Sequence, residues 1–255
     1  MLELVPLAMT LLALTGYATG WWALRRRGIR WPAHRTCCVL AGSLCVAAAV
    51  LPPVASHDEV FPVHVAQHLL LGMAAPLFLA LSAPLTLALR TLPVRPRRLL
   101  LRLLHSLPAQ VLAAPATAVA LTLGGLYVLY LTGLYQATEH NDLLHAAVHL
   151  HMFAAGCLLS WALIGVDPIR RRPPAPVRLA ALVTAAAGHD IMAKLLYAWN
   201  QPTGGGSLAA RHTGAELLYY GGTVIDVALA VILMAQWYLA SGRVLQRARR
   251  RAATP

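Results

Sequence analysis

Charge is what this sequence has least of. Only 12% of its 255 residues are charged, and 58% are hydrophobic; ordinary soluble domains carry about 25% charged residues. A soluble fold of one or two domains, which the length alone would allow, is therefore excluded. Acidic residues number nine, and of the 21 basic residues only Lys194 is a lysine. A net charge of +12 ordinarily suggests nucleic acid. Here the arginines fall between apolar runs and form no single patch, so no nucleic-acid partner is expected. The four cysteines make no disulfide framework: Cys37, Cys38 and Cys45 share one apolar run and Cys157 lies in another, as small apolar helix residues do. The sequence has no Cys-x-x-Cys-His haem-attachment motif, no Cys-x-x-x-Cys and no methionine-rich stretch. No nucleophile with a catalytic partner stands out, so no catalytic residue is assigned and an enzyme is not expected.

What the chain has instead is long apolar runs. About 20 such residues span a bilayer, and seven runs qualify, roughly 2–24, 36–54, 63–89, 108–131, 143–165, 177–199 and 215–239. The fold class read from them is all-α, a polytopic membrane protein with seven transmembrane helices in one domain, 1–242, and a basic tail, 243–255. The first run holds Glu3 where a leader has basic residues, and Arg25, Arg26 and Arg27 follow it, so it is expected to be a retained span. Arginine fills the first, third and fifth connections and the tail, whereas the other three connections contain only Arg211. Cytoplasmic loops carry the excess of Arg and Lys, which puts the N-terminus outside and the C-terminus in the cytoplasm. Glu3, Asp58, Glu59, Glu139, Asp142 and Glu216 lean toward the outer face. Pro76 and Pro84 predict a kink in the third run, ending near Ser82, with 84–92 as a separate interfacial helix. Pro115 predicts a bend in the fourth run. The glycines of 200–214 predict a mobile outer loop.

Two histidine pairs stand at the mouths of apolar runs. His64-Val65-Ala66-Gln67-His68 opens the third, and His145-Ala146-Ala147-Val148-His149 opens the fifth. Positions i and i+4 share a helix face, so each pair offers two imidazoles to one point. At about 1.5 Å per residue, His189 and Asp190 lie roughly 15 Å below the outer end of the sixth run, Lys194 one turn nearer the surface, and Asp226 somewhat deeper on the seventh. Ionisable groups in hydrocarbon face a bundle interior, a cavity or a partner. Imidazoles suit copper, zinc and iron, a carboxylate from Asp190 or Asp226 can orient a ring N–H, and Met73, Met152 and Met192 offer thioethers to Cu(I). The plainer readings stand beside these. A histidine near a helix end can simply reach the interface, methionines fill cores, Asp226 can bond a neighbouring helix, and Lys194 can neutralise Asp190. His57, His140, His151 and His212 are placed at or outside the outer boundary as surface residues.

Several segments resemble a known family. His64-x-x-x-His68-Leu69-Leu70-Leu71-x-x-Ala74-Ala75-Pro76, Ala83-Pro84-Leu85-Thr86-Leu87 and Arg90-x-Leu92-Pro93 are similar to the CtaG family of cytochrome c oxidase assembly factors, associated with caa(3)-type oxidases of Gram-positive bacteria. Thr132-Gly133-Leu134-Tyr135, the second histidine pair and Gly165-x-Asp167-Pro168 extend the likeness over essentially the whole chain. The preference for arginine and the abundant alanine fit a high-GC genome such as an actinobacterium's. The resemblance implies a non-enzymatic, multi-pass protein of the bacterial plasma membrane that helps to build the oxidase, with copper as its cofactor and oxidase subunits and the lipid bilayer as its partners. It carries the ligand role onto His64, His68, His145, His149 and His189, with Asp190, Asp226, Lys194, Met73, Met152 and Met192 in support. Two readings stay open beside it, non-covalent haem between facing histidines and a metal-free scaffold. The sequence specifies no oligomeric state.

Overall fold

The computed structural model describes residues 4–51, 60–167 and 172–252. Every regular element among them is helical: α1 Leu4–Arg26, α2 Ala33–Val50, α3 Phe61–His68, a π-helical turn Leu69–Ala74, α4 Ala75–Ser82, α5 Pro84–Thr91, α6 Val94–Leu104, α7 Leu107–Leu112, α8 Pro115–Leu131, α9 Leu134–Glu139, α10 Asp142–Ile164, α11 Ala175–Ala198 and α12 Leu208–Ala252. Glu3, His57, Asp58, Glu59 and Pro168 lie outside the described residues, as do the side chains of the tail arginines beyond residue 246.

Five stretches among the described residues are long and apolar enough to cross a membrane, Ala33–Val50, Phe61–Thr91, Asp142–Ile164, Ala175–Ala198 and Leu208–Arg243. Pro115–Leu131 is an apolar helix of 17 residues, shorter than those five. The side chains that open α1 lie outside the described set. Outward positions such as Leu40, Leu44, Val183, Ile191, Val224, Val227 and Val231 are exposed and apolar, as hydrocarbon surroundings require; backbone polar groups are satisfied inside each helix.

The expected kink in the third run has two separate causes. Pro76 has no N–H for the Gly72 carbonyl, and the chain widens just before it, with the Ala75 N–H reaching back to Leu70. Seven residues on, Ala83 turns left-handed at φ 54 and α5 starts with Pro84. The residue before a proline avoids helical geometry, so α4 stops at Ser82. In the fourth run Pro115 breaks the helix outright: α7 and α8 are separate, and the apolar rod begins seven residues later than the predicted 108. The seventh starts earlier than predicted, at Leu208, and continues as helix to Ala252 through the segment read as a tail.

Small residues let the helices approach closely. A Cβ at Gly156 of α10 would collide with the Gly72 carbonyl and stand 3.0 Å from Pro76 Cγ. Gly214 and Gly221 of α12 receive Phe61 and Leu69 in the same way. Packing of this kind replaces the hydrophobic driving force, which is missing in lipid.

The end of the bundle beyond α10 is tied by polar contacts. Asp167 is 6% exposed, and its Oδ1 accepts from the Thr86 N–H at 2.7 Å and the Thr86 hydroxyl at 2.6 Å, its Oδ2 from Trp161 Nε1 at 3.1 Å. It thereby serves the open N-terminus of α5, where an N–H has no partner within the helix and negative charge is favoured. The last carbonyls of α10 are taken too: Arg178 Nη1 donates to Leu163 at 2.8 Å and Gln236 Nε2 to Ile164 at 2.9 Å.

Candidate functional site

At the other end of the same helices the two histidine pairs face each other. Pro62 in the first turn of α3 starts the helix that carries His64 and His68. Asn141 caps α10 by accepting from the Leu144 N–H at 3.0 Å, which fixes His145 and His149 one and two turns in. Gln67, between the first pair, donates to the Ala49 carbonyl at 3.0 Å and ties α3 to α2. The ring of His64 lies 5.5 Å from that of His149 and 6.1 Å from that of His145, centroid to centroid, and His145 and His149 are 4.3 Å apart. His189 of α11 stacks on His68 at 5.9 Å with 17° between the planes.

Several polar atoms of this cluster are buried without a hydrogen-bond partner. His64, His68 and His189 are 2%, 5% and 4% exposed, and His149 is half-buried. His64 Nε2, His68 Nδ1, His149 Nε2 and both nitrogens of His189 make no hydrogen bond, nor do Asp190 Oδ1 and Asp226 Oδ2. Over nine-tenths of buried polar groups in folded proteins have a partner, and each exception calls for an explanation. Seven such atoms around one set of rings point to a ligand. A cavity of about 40 Å³ adjoins them, lined by His68, Met73, His151, Met152, His189 and Asp226 among others. It has room for a few water molecules or an ion.

The family model for the cytochrome c oxidase caa3 assembly factor matches residues 15–240. The chain belongs to that family. An uncharacterized protein of Mycobacterium bovis and one of Mycobacterium tuberculosis are each 32% identical to it over 270 residues, covering 98% of this chain and 41% of their own length. One of Mycobacterium leprae is 30% identical over 257 residues, 93% of this chain and 39% of its own. The chain thus spans about two fifths of the curated relatives it matches. No solved structure matches it.

In this member of the family the remaining predicted residues divide. Met73 and Met152 line the cavity, whereas Met192 is fully buried in apolar packing with Leu196 and Leu218. Lys194 lies exposed over the Tyr219 ring, 5.2 Å from its centroid, and lines a shallow hollow with Glu216. Asp226 lines the cavity; Asp190, beside His189, is not among its lining residues. Two residues of the site escaped the sequence reading. His151 is exposed, as its surface placement expects, but its Nε2 also lies 3.2 Å from the Leu121 carbonyl and it lines the cavity. Gly125 makes the room, because a Cβ there would collide with the His151 ring; a Gly-Gly pair inside an apolar run was the available signal. Tyr130 is fully buried, its hydroxyl has no partner, and its ring lies edge-on to both His64 and His68. Its place in the last turn of an apolar run would have suggested it.

Proposed function

We propose that this family member is a multi-pass protein of the bacterial plasma membrane that takes up copper at its histidine end and supplies it during cytochrome c oxidase assembly. The arginine distribution supports turning that end outward. The role is binding and hand-over, with copper as cargo. The observation that carries the reading is the spacing of His64, His145 and His149. A nitrogen ligates such an ion at about 2.0–2.1 Å, which sets the ring centroid about 3.2 Å from the metal and two centroids about 5 Å apart around a tetrahedral ion. The three separations, 4.3, 5.5 and 6.1 Å, bracket that value. Among the described residues no three His, Cys, Asp or Glu groups yet aim their donor atoms at one point, so ligation requires ring rotation. No hydrogen bond restrains Nε2 of His64 or of His149 against it. Thiolates are not part of the site, which leaves imidazole nitrogens, ligands that suit copper, with the Met73 and Met152 thioethers lining the adjoining cavity.

Haem is the second reading, and the space argues against it. Pockets for ligands of that size measure about 300–1,000 Å³, far above the 40 Å³ found here. The test is metal analysis of the detergent-purified protein, with a visible spectrum, before and after His64→Ala and His149→Ala. Copper in the parent and its loss in both variants is the expected result; unchanged copper in both removes the reading, and a Soret band turns it to haem. Oxidase assembly that proceeds normally with alanine at all four paired histidines would make the protein a metal-free scaffold.

A further inference from the structure

The five histidines predicted as ligands form two groups rather than one. His64, His145 and His149 are mutual neighbours, while His68 pairs with His189. The cavity is lined by the second pair, with Asp226 and Met73, and by none of the first three. Tyr130 stands between the groups, its ring 6.0 Å from His64 and 6.5 Å from His68. We infer a second, inner copper station built from His68, His189 and Asp226 around this cavity, with the Met73 thioether on its wall, distinct from the His64, His145 and His149 station. The inference rests on the copper reading above and divides its site in two.

Three features carry it. First, both imidazoles are more than nine-tenths buried, and His68 Nδ1, both His189 nitrogens and Asp226 Oδ2 lack partners. A paired core histidine would have at least one ring nitrogen engaged; His189 has neither, so its ring is free to turn toward a ligand. Second, the wall facing His189 is cut away to fit it: a Cβ at Gly222 of α12 would collide with the ring, standing 2.5 Å from Nδ1. Third, the charge and the donor set suit a soft cation. A lone charge in a low-dielectric interior is costly unless neutralised, and Asp226 supplies one carboxylate. With imidazole and thioether as the other donors, the set favours Cu(I), a soft ion of single charge. His68 follows His64 by one helical turn, so an ion leaving the first station meets the second about 6 Å farther along the same helix.

Counting copper per chain decides the matter. Full-length protein in detergent, freed of metal, is titrated with Cu(I) against a chromogenic Cu(I) chelator, and retained copper is measured by atomic emission. The parent is expected to hold two ions, and His149→Ala, His189→Ala and Gly222→Ala one each. Asp226→Asn should weaken the inner ion by at least about tenfold, the scale of lost support around metal sites. His189→Gln, which keeps a polar side chain of similar length, serves if the alanine variant fails to fold. A parent with one copper that His149→Ala abolishes and His189→Ala leaves in place overturns the inner station while sparing the outer one. A single copper lost in either variant means one shared site and overturns the division. A parent with none removes the copper reading and this inference with it.

Discussion

At the Asp167 end, both carboxylate oxygens accept hydrogen bonds, and Arg178 and Gln236 cover the last carbonyls of α10. At the histidine end of the bundle, His64 Nε2, His68 Nδ1 and both nitrogens of His189, as deeply buried, make no hydrogen bond. Both regions place polar side chains among apolar helices, and in both the desolvation cost is real. In the first the protein itself offsets most of that cost, Arg178 Nε alone among these groups lacking a partner, so the contacts belong to the fold. In the second the cost is left standing, which makes sense only if something else supplies the missing bond. The contrast separates structural from functional polarity within one bundle, and substitutions at the two ends should therefore behave differently.

The largest effect is expected at Asp167. Asp167→Ala strands the Trp161 indole N–H and the Thr86 N–H together in a part-buried place, a loss of about 2–3 kcal/mol, read as a lower thermal unfolding midpoint in detergent with copper binding per folded chain unchanged. Next comes Gly156→Ala, which forces α10 away from the Gly72 carbonyl. Overpacking of this kind costs about 1–3 kcal/mol, and because Gly72 follows His68 by four residues the shift should also weaken metal retention. Smaller again, Gln236→Leu removes the donor to Ile164 and the more exposed acceptor of Arg172 and Arg178; a loss of about 1–2 kcal/mol is expected in the same assay. If Gln236→Leu proved more damaging than Asp167→Ala, the account of which contacts hold this end would be wrong.

Much of this arrangement was open to reading in the residue string, for reasons that can be named. A helical period of 3.6 puts His64 with His68 and His145 with His149 on single faces, and counting residues inward from the end of the sixth run brought His189 to their depth. Pro84 after Ala83 marked the end of α4 correctly, because a pre-proline residue resists helical geometry whatever surrounds it. What could not be read depended on contacts between helices. The π-turn before Pro76, the room that Gly125 makes for His151 and the burial of Met192 away from the cavity all arise from packing partners distant in sequence. Hydropathy likewise measures runs of side chains and not backbone breaks, so 108–131 looked like one span where Pro115 divides it. The i, i+4 spacing allows Lys194 to reach Asp190, whereas the structure sets it over Tyr219.

The smallest expected effect is the most informative. In metal-free protein, His149→Leu exchanges a half-buried imidazole with an unpartnered Nε2 for an apolar side chain of similar volume. A structural histidine would lose a hydrogen bond in that exchange, but none involves His149 Nε2, so stability should stay within about 0.5 kcal/mol or rise, since an unsatisfied polar atom is removed. Added Cu(I) should then part the two proteins. A ligand at 100 times its dissociation constant stabilises the parent by about 2.7 kcal/mol, and a variant without the outer station should show a smaller gain. Thermal unfolding of both proteins with and without Cu(I) measures the difference. A metal-free variant as destabilised as Asp167→Ala would mean that His149 holds the bundle together, and the distinction between the two ends would fail where it is drawn most sharply.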